Sequence, residues 1–524
     1  MLTLYKALLV VLVFALLVFA LARPAFLRFM SPADYAIRRN LWLALTVAAF
    51  LIPSFWVFTL VAAAFVWFAA SRDSNPTALY MMLLITLPPL GMDLPTFGLV
   101  NQLFALNHLR FASLALLLPL ALGIFRRESA EPYAVSGPGL LRTDFLILLY
   151  ALLQTVLLMP GESVTATGKR VVLMGIDMLL PYYVLSRACS SRESFRELMA
   201  AFVLGAVLVA PMSVFEMFKG WLLYAGLEEY WGTVPFLSHI TRGNYLRAQV
   251  NAGHPIVLGF TFAVAFGFWL ALRSSVEGGA LKLGILLALL VGLVTTFSRG
   301  PWVGAVVIWV IFLSLGPDAR RRSAQALGLL LAVGAVGLIS PWSDKMIDYI
   351  PFIGNVGSET VAYRMQLAET SWQLVLQNPL FGSPNYLAYM EQLRQGEGII
   401  DLVNAYATIA LSFGLVGLGL FAAFFGSIIL RCLKAARPLI ELDLEFNLVG
   451  VALVATLVAT LAMLFTVNLY MSIGALAWVL GGMGVAYSRL AKAALPLDTG
   501  VRTEPELAPM RMSSQQSRLR GTVQ

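Results

Sequence analysis

The chain of 524 residues is poor in charge, in histidine and in cysteine. Asp, Glu, Lys and Arg together make up 12% of it, against 59% hydrophobic residues. A water-soluble surface needs about a quarter of all residues charged, so the three or four soluble domains usual at this length are excluded. The same composition excludes disorder, collagen, coiled coil and a disulfide-stapled scaffold. Only His108, His239 and His254 are present, too few for a multi-histidine metal site, and the P-loop, zinc-protease and hydrolase-elbow signatures are all missing. No metal or cofactor is expected. Cys189 and Cys432 each lie beside arginines and read as reduced, inert thiols. No repeat of 20 to 50 residues is present, which excludes a solenoid.

What is abundant is apolar runs of membrane-spanning length. They cover 5–22, 41–70, 77–91, 111–125, 142–159, 170–186, 198–216, 254–272, 282–298, 301–316, 325–341, 403–430, 447–467 and 469–488. At roughly 35 to 40 residues per span and loop, the length accommodates about 13 to 15 spans. The run Leu453 to Thr466 does not alternate, so the spans are helical rather than barrel strands. The expected fold is an all-α polytopic integral membrane protein, with 1–488 as one transmembrane domain.

The basic excess, 36 Lys plus Arg against 28 Asp plus Glu, is then topological and needs no nucleic acid. Arg126 and Arg127, Arg187 to Arg196, Arg273 and Lys282, Arg320 to Arg322, and Arg431 to Arg437 mark alternate connections. These are expected to face the cytoplasm. The exterior face then receives 160–169, 217–253, the turn at Ser298 to Gly300, and the large loop 342–402. A cytoplasmic tail, 489–524, is expected to be disordered from about 497.

The first 76 residues fit this scheme less simply. Residues 5–22, with Lys6 and an Ala20-Leu21-Ala22 end, have the outline of a signal peptide, here read as retained. Arg23, Arg28, Arg38 and Arg39 favour an inside loop. That holds only if 41–70 is two short helices broken near Pro53, and the sequence does not decide it. In the large loop, Met365, Ala368, Trp372 and Val375 recur at helical spacing from Ser358 to Gln377, where Asn378-Pro379 stops the pattern. This predicts an amphipathic helix lying on the outer membrane face, with a second short helix over Tyr386 to Arg394.

Charge on the exterior face runs against the positive-inside bias and calls for a reason. Arg299, in Thr295-Thr296-Phe297-Ser298-Arg299-Gly300-Pro301-Trp302, sits in a tight turn opening a helix. It either snorkels to the interface or, with the helix N-terminal amides, forms a phosphate site. Arg247 precedes the next span, with Arg242 and Lys219 in the same loop, and Arg364 lies on the amphipathic helix. Each alone reads as a surface charge; together Arg247, Arg299 and Arg364 suit a lipid-linked diphosphate. His254 is either a general base or the cap of its span, and Asp401 either a base that takes a proton from a sugar hydroxyl or a helix cap. Glu369, Glu391 and Glu397 are weaker acidic candidates.

The ordered combination of Ser298-Arg299-Gly300, Arg364, Trp372, Asn378-Pro379-Leu380-Phe381-Gly382, and Asn404 nine residues before Gly414-Leu415-Val416-Gly417 resembles the O-antigen ligase and polymerase superfamily. The resemblance covers mainly 240–430. It implies a GT-C-like polytopic glycosyltransferase with a large periplasmic loop in the bacterial inner membrane. It also implies a glycan donor on undecaprenyl diphosphate, arginines gripping the diphosphate, and inverting transfer without metal or nucleotide sugar. Carried onto this chain, Arg247, Arg299 and Arg364 are the diphosphate residues, with Arg242, Asn404 and Tyr406 as secondary candidates.

Ligases of the superfamily place a His directly before the Asn. Here that position is Val403, which cannot accept a proton, and the expectation therefore shifts to a repeat-unit polymerase making O-antigen, exopolysaccharide or capsule. A flippase and a chain-length regulator are the partners the resemblance implies, besides the lipid-linked oligosaccharide and the bilayer. A ligase making lipopolysaccharide or a protein O-oligosaccharyltransferase differs in the acceptor. A transporter or flippase is the alternative of another class. It is disfavoured by mid-span regions poor in charge, with Asp177 and Glu216 as the main acidic exceptions.

Overall fold

The computed structural model describes residues 2–495 apart from 90, 96–101, 131–141, 162, 234–236, 317–318, 322–323, 325–327, 329–357, 395–399 and 401. It is an all-α, multi-pass membrane protein. Among the described residues, seven helices are long and apolar enough to cross a bilayer: Leu2–Phe26, His108–Arg126, Arg192–Lys219, Pro255–Ser275, Ala405–Ala436, Leu444–Met463 and Ser472–Ala493. Four shorter apolar helices accompany them: Phe55–Ala70, Pro76–Thr86, Gly279–Thr295 and Arg299–Leu315. The expected span at 325–341 and the tail from 497 lie outside the described residues. Among the described residues, strand is confined to two small antiparallel ribbons, Gly91–Pro95 with Gln102–Asn107, and Thr241–Arg242 with Tyr245–Leu246.

The first helix shows why composition alone does not say which face packs. Leu4, Ala7, Val11, Ala15, Phe19 and Ala22 form a buried stripe at three- and four-residue spacing, while Leu9, Val13, Leu16, Leu17 and Leu21 stay exposed. Both faces are apolar; the buried one carries more small residues, which allow close helix contact, and the other meets lipid. The helix runs without interruption through Ala20-Leu21-Ala22 to Phe26. At the centre, Pro255–Leu272 is buried along almost its whole length. Glycines permit that closeness: a Cβ at Gly259 would meet Thr296 and Pro301, and one at Gly267 would overlap Thr456. Likewise Gly300 and Gly304, one turn apart, let Arg299–Leu315 lie against Thr466 and Met463.

Ion pairs sort the two ends of the bundle. Arg192 pairs with Asp443, Arg196 with Glu445 at 3.0 Å, and Arg28 with Glu277 at 2.6 Å. Arg489 donates to the carbonyls of Arg187 and Cys189. The basic connections at 187–196, 273–277 and 437–445 therefore share one end. The first 76 residues join them there. Pro32–Leu51 stops where Ile52 is extended ahead of Pro53, and Phe55–Ala70 returns as a separate helix. At its foot, fully buried Arg38 grips both oxygens of Asp73 at 2.7 and 2.8 Å and lies 2.7 Å from Glu197, while Asn75 donates to Ser194 and Glu197. The break near Pro53 is thus real. It puts the Arg23–Arg39 loop at the basic end, and Ile52 at the opposite end, where Trp231 donates to its carbonyl at 2.9 Å.

Two acids flagged in spans have partners. Asp177 pairs with Arg110 at 2.7 Å, and buried Glu216 accepts from the amides of Leu223, Gln249 and Val250 at 2.8–2.9 Å. The Pro76–Thr86 helix is too short to cross, about 16 Å of rise. Its terminal carbonyls are closed by Asn251, which donates to Ile85 and Leu87, and by Trp42, which donates to Thr86. An interrupted helix is tolerated in a membrane when its freed backbone groups are met this way.

The Ala405–Ala436 helix is also interrupted. Gly414 takes φ 64°, ψ −169°, and the broken ladder is repaired by the Asn378–Gly382 turn. Leu415 and Val416 donate to the carbonyls of Pro379 (2.8 Å) and Leu380 (3.2 Å), and Ser383 donates to Leu411 (2.7 Å). The helix Ser358–Gln377 and a 3₁₀ turn, Tyr386–Leu393, occupy their expected positions. One apolar face packs on the protein and a second is turned outward. Leu367, Ser371 and Val375 are buried, whereas Met365, Ala368 and Trp372 are exposed, because a helix between protein and lipid has two apolar faces and spacing does not rank them.

Replacing Gly414 by Ala puts a Cβ onto the Leu380 carbonyl at a positive φ. The expected cost is about 2–4 kcal/mol. It should appear as a lowered thermal midpoint in detergent, whereas Gly419→Ala, where nothing lies nearby, should leave the midpoint unchanged.

Candidate functional site

At the end of the bundle away from the basic connections, the chain between the two ribbon strands and the Pro255–Leu272 helix folds against the turn that joins Gly279–Thr295 to Arg299–Leu315. Arg247 donates from Nε to the Thr296 carbonyl (3.1 Å) and from a terminal nitrogen to Ser298 Oγ (2.9 Å). Arg242 donates to the Phe297 carbonyl at 2.9 Å, and Ala248 to the Thr295 carbonyl at 3.1 Å. From the other side, Glu216 holds the amides of Gln249 and Val250. The segment is pinned between a carboxyl and a row of carbonyls.

Two residues in this pin are in the left-handed region without being glycine, Val250 at φ 52° and Phe297 at φ 46°; among the described residues they are the only ones. Such backbone costs about 1–3 kcal/mol each and persists where surrounding contacts enforce it. Phe297 is held by its amide bond to Val294, by Arg242 on its carbonyl, and by stacking on Tyr245 with ring centroids 6.1 Å apart.

Ser298 stands at the cap position of the Arg299–Leu315 helix, yet no side chain caps that helix. Its hydroxyl instead donates to Thr296 and accepts from Arg247. The helix N-terminus keeps its positive end open beside Arg299, an arrangement that attracts anions. Burial, and then the neighbouring Arg242, bring the Arg247 pKa down to about 10, so it is cationic at neutral pH. Among the described residues Arg247 has no carboxylate partner, unlike Arg38, Arg110, Arg187, Arg192 and Arg196.

His254 caps the Pro255–Leu272 helix, its Nδ1 accepting from the Ile256 amide at 3.2 Å. Burial, then the charge of Arg247, push its pKa down to about 4. With Nδ1 engaged, the neutral ring carries its proton on Nε2 and is a donor. The sequence left base and cap open; the geometry shows the cap. The ring lies edge-on to Tyr470, 6.4 Å between centroids, a residue that no sequence pattern marked. Asn404 is likewise a cap, accepting from the amides of Tyr406 and Ala407, and the Tyr406 hydroxyl donates to the Leu461 carbonyl at 2.6 Å. Ala405 donates to Leu464 and Val467, and Thr466 abuts Gly300, so these residues adjoin the arginine turn.

Arg242, Arg247, Arg299 and His254 thus share one neighbourhood. Arg364 and Glu369 are exposed on Ser358–Gln377, which is tied in through Leu367 and Val375 packed with Leu402, Ala410 and Leu411. Glu391 is spent on an exposed ion pair with Arg394. Asp401 and Glu397 lie outside the described residues.

A multi-pass membrane protein with a cationic, anion-attracting turn at one end defines the class. Residues 284–422 match the family model Wzy_C, described as O-antigen ligase, and that match supports the O-antigen ligase and polymerase superfamily for this chain. Its description is that of a glycosyltransferase-like membrane enzyme. The matched stretch holds Arg299, Arg364, Glu369, Asp401, Asn404 and Tyr406, while Arg242, Arg247 and His254 precede it. No curated protein matches the chain.

Because the folded-state ring of His254 is held below its ordinary 6.5, the unfolded chain takes up this proton first on acidification. Stability from the neutral cap is whole above about pH 6.5 and is lost as pH falls toward about 4. Nitrogen chemical shifts of labelled histidine should show this ring neutral at pH 6, identified by its absence in His254→Asn. A ring half-protonated near pH 6.5 would contradict the assignment.

Proposed function

We propose that the chain polymerises lipid-linked polysaccharide repeat units, transferring a growing glycan from undecaprenyl diphosphate to a sugar hydroxyl of another lipid-linked repeat. The observation that carries this reading is Arg247: a half-buried guanidinium braced by neutral acceptors, with no carboxylate among the described residues to neutralise it. Such a cation is prepared for an anionic ligand, and a diphosphate at a membrane boundary has the charge and the location.

In this mechanism Arg247, Arg242 and Arg299, with the open helix N-terminus, hold the diphosphate, and Arg364 approaches from the Ser358–Gln377 helix. The acceptor hydroxyl attacks the anomeric carbon from the face opposite the diphosphate. The new glycosidic bond forms as the bond to the diphosphate oxygen breaks, and the oxygen leaves with the electron pair. Stabilising that departing charge is the main service of the arginines. The hydroxyl proton passes to Asp401, since His254 is engaged as a cap. The reaction face is the periplasmic one, because the basic connections gather at the other end. Val403 directly before Asn404 favours polymerisation over ligation to a core acceptor.

One observation supports a transporter reading. The interrupted Pro76–Thr86 helix, capped by Asn251, is of the kind found at transport sites. Purified protein incubated with a polyprenyl-diphosphate oligosaccharide separates these outcomes. A ladder of products supports polymerisation, a single transfer to a core acceptor indicates a ligase, and translocation in vesicles without product indicates a transporter.

Arg247→Ala, Arg299→Ala and Arg364→Ala should each lower turnover about 10²–10³-fold, with Arg39→Ala at the far end unaffected. His254→Asn, which retains a capping side chain, should keep most activity, whereas Asp401→Asn should not. Full activity in all three arginine variants would overturn the proposal.

A further inference from the structure

The turn Asn378-Pro379-Leu380-Phe381-Gly382 has two properties that are rarely combined. It is irregular backbone whose polar groups are largely met by protein. The carbonyls of Asn378, Pro379 and Leu380 accept from Gly382, Leu415 and Val416, the amides of Gly382 and Ser383 donate to Asn378 and Leu411, and Pro379 has no amide to satisfy. It also carries large apolar side chains outward, with Leu380 60% and Phe381 50% exposed. Water would satisfy an exposed turn without such bonding; hydrocarbon would not.

The depth of the turn follows from what it bonds. Ala405–Ala436 has 32 residues, about 48 Å of helix, well beyond a hydrocarbon core of about 30 Å. The stretch after the break, 415–436, is about 33 Å and fits that core. Leu415 and Val416 are its first residues and are themselves exposed. Since their amides bond Pro379 and Leu380, the tip of the turn lies level with the start of the span. The exposed apolar ridge continues along Ser358–Gln377 through Leu376, Trp372 and Met365. Glu369, exposed on the same face, keeps the earlier turns shallower than Phe381.

We propose that this turn is a membrane-inserted wedge: Leu380 and Phe381 sit in the hydrocarbon edge of the leaflet, anchoring the 358–394 segment to the bilayer surface. The occupant of the exposed ridge is phospholipid, because the ridge is continuous with lipid-facing residues of a spanning helix. This does not rest on the proposed reaction.

The test is depth measurement by spin-label power saturation on the full chain in phosphatidylethanolamine and phosphatidylglycerol vesicles. Phe381→Cys and Leu380→Cys carry the label, Leu60→Cys on the lipid-facing Phe55–Ala70 helix is the hydrocarbon reference, and Glu391→Cys is the aqueous reference. The unsubstituted chain corrects for Cys189 and Cys432, both buried. The expected ratio of oxygen to nickel-chelate accessibility is several-fold above that at position 391 and close to that at position 60. A ratio equal to that at 391 overturns the wedge in favour of a solvated turn. Low accessibility to both reagents overturns it in favour of a second copy or another protein covering the ridge. Having two label positions keeps the test open should one variant misfold.

Discussion

The site depends on how the Arg247–Asn251 segment is pinned. Glu216, buried inside a spanning helix, takes the amides of Gln249 and Val250, while Ala248 and Arg247 bond the carbonyls of Thr295 and Thr296. A carboxyl buried this deeply is costly unless its oxygens are met. Meeting them with backbone amides forces Val250 into a conformation that valine avoids. In the opposing turn Phe297 is held at positive φ by other contacts, its amide bonding the Val294 carbonyl and its carbonyl accepting from Arg242. Strain on both sides of one contact keeps Arg242 and Arg247 at fixed positions beside Arg299, and Asn251 carries the same segment down to the end of the interrupted Pro76–Thr86 helix. One polar contact therefore joins four elements that are far apart in sequence.

The motif residues divide between chemistry and architecture in a way that spacing does not show. Asn378–Gly382 and Gly414–Gly417 look like two separate signatures, yet in the fold they are two halves of one joint. The turn supplies the carbonyls that the broken helix lacks, and Gly382 and Gly414 admit the close approach, since a Cβ at either would overlap the other strand of backbone. Asn404 and His254, both attractive as reactive residues, close helix N-termini. Arg242 and Arg247 brace the turn as well, but through carbonyls and a hydroxyl.

Much of the fold was legible because the bilayer imposes length and composition together. The run 254–272 became Pro255–Leu272, while 198–216 and 447–467 fell on the helices Arg192–Lys219 and Leu444–Met463 with shifted ends, and the amphipathic helix at 358–377 and the short helix after Tyr386 were readable from their stops. The break near Pro53 was readable as a condition but not as a fact, because charge counting admits either parity. Three features were not read from the sequence. The face of Ser358–Gln377 that packs on protein is hidden because lipid tolerates the same side chains as a protein core. The half-length of Pro76–Thr86 was passed over because apolar residues continue past its end, although Pro88-Pro89, ahead of which Leu87 is extended, marks the stop. The strained residues are hidden because valine and phenylalanine are poor markers of positive φ. Arg247 and Arg299 drew attention because they run against the expected charge bias, but the brace of carbonyls that brings Arg247 to the Ser298 turn carried no signal.

That brace also explains why these arginines differ from the others. At the basic end, Arg192 and Arg196 meet carboxylates, and fully buried Arg38 meets two. In each case the cation is offset by at least one carboxylate, which leaves little positive field for a ligand. Arg247 is oriented as firmly, but by a carbonyl and a hydroxyl, which fix geometry without cancelling charge. Burial makes the uncancelled charge more costly, as its lowered pKa records. An arriving anion would relieve that cost, so part of its binding free energy is already stored in the folded protein as an unscreened cation. An exposed arginine such as Arg23 stores nothing comparable, because water has already compensated it. The difference between the two ends of the bundle is therefore less one of how many cations each holds than of what holds them in place.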